Sequence, residues 1–77
     1  MGHRLAPIHY RKLVKIFELN GWVVDRQKGS HIILKKEGFA RRVVIPRRKN
    51  VPVYVIQNDL RTAKMSRKRY FKLLDEA

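Results

Sequence analysis

Three histidines, His3, His9 and His31, are the side chains of ordinary type that gain or lose a proton close to neutral pH. His31 directly follows Lys28-Gly29-Ser30, so an imidazole stands next to a hydroxyl, a glycine and a cation. Such a group can take a proton from a reacting hydroxyl or give one to a leaving oxygen. Taken alone, a single histidine reads first as a solvated or structurally hydrogen-bonded residue. His3 and His9 lie near the N-terminus with no Cys, Asp or Glu cluster at ligand spacing, so they read as surface residues, and neither a metal site nor a cofactor is indicated. The chain has no cysteine, which removes disulfides, thiolate nucleophiles and thiolate metal sites.

The second chemical feature is charge. Lys and Arg number 19 against 6 Asp and Glu, for a net charge of +13 on 77 residues. The acids leave two stretches uncompensated. One holds Arg41, Arg42, Arg47, Arg48 and Lys49, and the other holds Arg61, Lys64, Arg67, Lys68, Arg69 and Lys72. A field of this sign attracts polyanions and releases their counterions on binding. Nucleic acid is therefore the first partner to consider, ahead of an anionic membrane surface or an acidic protein, with a merely soluble basic surface as the plain alternative.

The elements that must position these groups follow from periodicity. Tyr10, Leu13, Val14 and Phe17 recur at helical spacing with Arg11, Lys12, Lys15 and Glu18 opposite, which predicts an amphipathic first helix with Pro7 in its first turn and Asn20-Gly21 at its end. Trp22 to Gln27, His31 to Lys36 and Ala40 to Ile45 read as three strands joined by Lys28-Gly29-Ser30 and Glu37-Gly38, an antiparallel meander that Pro46 ends. Arg47 to Pro52 reads as a basic loop. Val51 to Ile56 has strand propensity, yet Val53, Ile56, Leu60 and Ala63 keep helical spacing, and a helix is expected from about Val55 to Lys64. Ser66 is expected to cap a short last helix, with Met65 and Tyr70 as its hydrophobic staple.

The expected class is thus α+β: an α-β-β-β-α order, a three-stranded antiparallel sheet with helices on one face, and a short extra C-terminal helix. At this length one domain over residues 1–77 is expected. The apolar runs fall far short of a membrane span, and neither an apolar leader nor a myristoylation pattern is seen, so a cytoplasmic location without membrane contact is expected. Strand parity groups His31 with Ile33 and Lys35 and separates them from Ile32, Leu34 and Lys36, without saying which set faces solvent. Trp22, at the start of an apolar strand, reads as core in preference to a base-stacking platform.

Asn20-Gly21-Trp22 leading into a strand, then Arg26-Gln27-Lys28-Gly29-Ser30-His31, then Arg42-Val43-Val44-Ile45-Pro46, resembles the HicA (YcfA-like) mRNA interferase toxin family. The likeness continues through Leu60-Arg61 and Ala63-Lys64-Met65-Ser66 to the final helix. It implies a fold similar to double-stranded RNA-binding domains, cleavage of mRNA, and neutralisation by a HicB-like antitoxin protein. It also implies that His31, the histidine of the Gly-Ser-His motif, is the catalytic residue. Members often carry a second histidine after the third strand, where this chain has Arg47 and Arg48. Many start the next helix with Gly, where this chain has Tyr54, and Asp59 stands where an apolar residue is common.

RNA brings its own nucleophile, the 2′-hydroxyl, so an enzyme need only move protons and stabilise phosphate charge. His31 is then the general base or the general acid, without metal, and the residues leave the choice open. Gly29 would let an RNA backbone approach and Ser30 donate to a phosphate, or both are an ordinary turn. Lys28, Lys35, Arg41, Arg42, Arg47, Arg48 and Lys49 are expected to hold phosphates. Arg67, Lys68, Arg69 and Lys72 read mainly as a solvated helix face. The runner-up functions are a non-catalytic RNA-binding module of the same fold and a basic protein that docks on an acidic protein.

Overall fold

The structure, a computed structural model, describes residues 4–77, so the expectation for His3 lies outside the described residues. Helix α1 spans Tyr10–Leu19, strands β1, β2 and β3 span Val23–Lys28, His31–Lys35 and Val43–Pro46, and helices α2 and α3 span Val53–Ala63 and Arg67–Glu76. The strands form one antiparallel sheet in the order β1-β2-β3. The α+β class and the α-β-β-β-α order with an added terminal helix are those expected from the sequence. Among the described residues no helix is long and apolar enough to cross a membrane.

Burial alternates along β3, where Val43 and Ile45 are buried and Val44 is exposed, as a one-sided sheet requires. Leu34 of β2 and Val43 and Ile45 of β3 are buried against Leu13, Ile16 and Phe17 of α1 and Ile56, Leu60 and Ala63 of α2. Trp22 is core, with its ring edge-on to Phe17 at 6.3 Å and tilted on Phe39 at 5.1 Å. Every residue of β1, an edge strand of the sheet, is exposed, and the helices meet the sheet chiefly at β3.

Several boundaries differ from expectation, each for a local reason. Helix α1 starts at Tyr10 and not at Pro7, because the Nδ1 of His9 accepts the Arg11 N–H at 3.1 Å and caps it. The segment before it instead pairs Ile8 with Val51 in a single bridge. That bridge ends the β-prone stretch early, and Pro52, already at φ −62°, leads into α2 two residues sooner than expected. Helix α2 closes on Lys64 in the left-handed conformation, φ 54°.

Strand β3 starts at Val43 rather than Ala40 and includes Pro46 as its last residue. The Val44 N–H points off the free edge of the sheet to Asp59, and Pro46, two residues on, has its missing donor on that same side, where no strand needs it. Ser66 caps α3 as expected, accepting the Arg69 N–H at 3.0 Å, and Met65 and Tyr70 are both buried. Arg69 Nε also donates to Asn20 Oδ1 at 3.3 Å, which ties α3 to the end of α1.

Candidate nucleic-acid interface

Because α1 and α2 take the Ile32 and Leu34 side of β2, His31, Ile33 and Lys35 lie on the open face of the sheet. Register completes that face. His31 pairs with Lys28 on one side and Pro46 on the other, Ile33 pairs with Arg26 and Val44, and Lys35 pairs with Val23. Cross-strand partners point the same way, so the open face carries a central apolar strip, Ile33 and Val44, between cations. Its end nearest the β1–β2 turn is a shallow depression lined by Lys28, Gly29, Ser30, His31, Ile33 and Val44. The imidazole there is exposed, with no hydrogen-bond or ion-pair partner among the described residues.

Gly29 and Ser30 are the two central residues of the tight turn that Lys28 and His31 close. Gly29 has φ +58°, and nothing lies within 4 Å of where a Cβ would sit. Its glycine is therefore required by the turn itself, since a two-residue hairpin loop needs positive φ at its first central position. Gly29→Ala is expected to cost about 1 kcal/mol from backbone strain alone. Urea denaturation checks this, and a loss of several kcal/mol would mean that the added methyl meets something.

The expected cationic residues do not form one group. Four residues of extended β3 stand between Arg42 and Arg47, so they lie at opposite ends of the strand. At the His31 end, the Arg47 N–H donates to Ser30 O at 2.7 Å, which ties the loop after β3 to the Gly-Ser-His turn. Its guanidinium leans towards the helix layer, 5.7 Å from the centre of the Tyr10 ring. The Tyr10 hydroxyl is pushed below the ordinary phenol range, first by its hydrogen bond from Arg11 and then by one from Arg47. Arg48 is held by its backbone, with its carbonyl accepting the Tyr10 N–H at 3.1 Å, and Lys49 is exposed in the same loop.

At the far end sit Lys35, Arg41 and Arg42, all exposed. The pairing of β1 with β2 skips Asp25, a bulge between Val24 and Arg26. The bulge brings the Asp25 carboxylate between two cations, with Oδ1 3.6 Å from Lys35 Nζ and Oδ2 3.7 Å from Arg42 Nε. Sequence reasoning missed both Asp25 and Arg26 as parts of this face. Parity within β1 would have found Arg26, which shares a side with Lys28. The bulge, by contrast, leaves no mark in residue type.

Among the described residues one acidic group is buried, away from the open face. Asp59 of α2 is buried, 3% exposed, at the free edge of β3. It accepts the Val44 N–H, its Oδ2 has no partner, and burial, partly offset by that N–H, pushes its carboxyl up to about 7. Among the described residues no group of three or more His, Cys, Asp or Glu converges as metal ligands would.

The α1–sheet–α2 unit that carries the Gly-Ser-His turn is also the unit that comparison with known proteins picks out. The family model described as HicA toxin of bacterial toxin-antitoxin matches residues 10–65, from the first residue of α1 to the residue after the close of α2, with α3 beyond it. No curated protein and no solved structure matches the chain. With more than half of the chain matched, and with the helix order and the motif turn in place, the protein belongs to the HicA family of bacterial toxin-antitoxin toxins.

Proposed function

We propose that this toxin is an endoribonuclease acting on mRNA, with His31 as the proton-transfer group and the open sheet face as the RNA-binding surface. The observation that carries the reading is the exposed His31 imidazole on a face with no helix over it, flanked by Lys28 and an apolar strip. In the proposed step the ribose 2′-oxygen attacks the adjacent phosphorus, the bond from phosphorus to the 5′-oxygen breaks, and one proton passes from the 2′-hydroxyl to the leaving oxygen. His31 accepts that proton or donates its equivalent, and neighbouring cations stabilise the charge gathering on the phosphate. Gly29 and Ser30 lie where a strand contacting His31 passes, and Lys28, Arg26 and Lys35 offer phosphate contacts along it.

Incubation of the purified protein with single-stranded RNA tests this. Cleavage is expected to persist in a chelator, to leave 2′,3′-cyclic phosphate and 5′-hydroxyl ends, and to stop at a nucleotide whose 2′-hydroxyl is replaced by hydrogen. Products with 5′-phosphate would overturn the step. RNA binding with no cleavage would instead support a non-catalytic module of the same fold. Family membership supports a HicB-type antitoxin as the neutralising partner, and adding that partner is expected to suppress cleavage.

A further inference from the structure

The arrangement of Asp25, Lys35 and Arg42 has a shape that the proposed reaction does not use. Two cations, Lys35 at the end of β2 and Arg42 just before β3, converge on one carboxylate, one at each oxygen, at 3.6 and 3.7 Å. These distances are ion pairs and not close hydrogen bonds, and Lys35 and Arg42 each keep about half of their side-chain surface exposed, 50% and 47%. The two non-bridging oxygens of a phosphodiester have a spacing and charge distribution close to those of a carboxylate. Exposed pairs of this kind are worth little in stability, so the triad does not explain itself as a structural staple. Lys35 is on the same face as His31 and four residues along β2, about 13 Å away at the rise of a strand.

We propose that Lys35 and Arg42 form a second phosphate subsite on the open face, which the Asp25 carboxylate occupies until RNA takes its place. The proposal rests on the RNA-binding reading of that face and extends it. The subsite lies too far from His31 for the scissile phosphate to fill both, so it takes a phosphate further along the same strand. Asp25 acts as a built-in competitor: it keeps the two cations together, and it weakens the hold on short or poorly placed RNA.

Binding of a fluorescent single-stranded RNA 12-mer, measured against salt concentration on His31→Ala protein so that no cleavage intervenes, tests this directly. Asp25→Asn is expected to tighten binding roughly tenfold at low salt and to steepen the salt dependence by about one unit of slope, as freed cations meet phosphate. Glu18→Gln changes the net charge equally but on α1, where Glu18 is exposed, and is expected to change affinity less than twofold. Lys35→Ala and Arg42→Ala are expected to cost more affinity when Asp25 is already Asn, because the cations are then free for RNA. In the catalytically intact protein, Asp25→Asn is expected to lower KM for a tetranucleotide and leave a dinucleoside monophosphate, which has a single phosphate, unchanged.

Equal effects of Asp25→Asn and Glu18→Gln would reduce the triad to general field and overturn the subsite. Unchanged or weaker RNA binding by Asp25→Asn would also overturn it, while leaving RNA binding by this face intact. If none of these proteins binds RNA, both the subsite and the RNA reading fall together.

Discussion

Replacing His31 with alanine is expected to lower RNA cleavage by a factor of about 10² to 10⁴ while changing RNA affinity less than threefold. The expectation of a catalytic and not a structural effect comes from the surroundings of the ring. His31 is exposed, and its backbone, not its imidazole, makes the ladder contacts with Lys28 and Pro46. Removing the imidazole therefore leaves no cavity in the core and no buried polar group unpaired, two of the main routes by which single changes destabilise a small domain. The measurement is a pair of rate constants on one RNA, accompanied by thermal melts of both proteins. Matching cleavage by parent and variant would remove His31 from the mechanism. A variant that loses RNA binding in step with cleavage would make it a contact residue only.

Asp59→Asn is expected to stabilise the protein at pH 8 and to make almost no difference near pH 4. The carboxyl ionises near 3.8 in an exposed setting and near 7 in the fold, because burial disfavours the charged form. The folded-state value is the raised one, so the folded chain holds a proton that the unfolded chain has lost between those two pH values. Stability therefore falls as pH rises from about 4 to 7, and the loss is complete above 7. A shift of about three units corresponds to roughly 4 kcal/mol as an upper limit, a large share of the few to about 10 kcal/mol available to a domain of this size.

Asparagine keeps an oxygen for the Val44 N–H and carries no charge. It therefore removes the penalty without opening the sheet edge, although its amide meets the same partnerless surroundings as Asp59 Oδ2. Melting temperatures of parent and variant at pH 5, 6, 7 and 8 give the test. A difference that does not grow with pH would show that Asp59 is not the titrating group. The family pattern marked this position as unusual for an acid, and the fold supplies the consequence: a carboxylate closing the edge of β3 in place of an apolar contact.

Much of the architecture was legible in the residues because local patterns and tertiary packing agree. The heptad-like spacing of Tyr10, Leu13, Val14 and Phe17, the turn chemistry of Gly29 and Gly38 and the Ser66 cap each specify one element without help from the rest of the chain. Element starts were less legible. His9 as a cap and Pro52 as an entry to α2 depend on the Ile8–Val51 bridge, a contact between segments more than forty residues apart.

From residue types and a period of two came the essentials of the candidate site: a histidine after a Gly-Ser turn, its alignment with Ile33 and Lys35, and a strong positive field. Which side of the sheet that alignment faces did not, since Ile33 is as apolar as Ile32 and only the docking of α1 and α2 distinguishes them. Charge counting likewise merged Arg42 with Arg47, although an extended strand must hold its ends apart. The Asp25 bridge and the Asp59 edge arise where separate elements meet, and nothing in a linear pattern records a register skip or the partner of a free N–H.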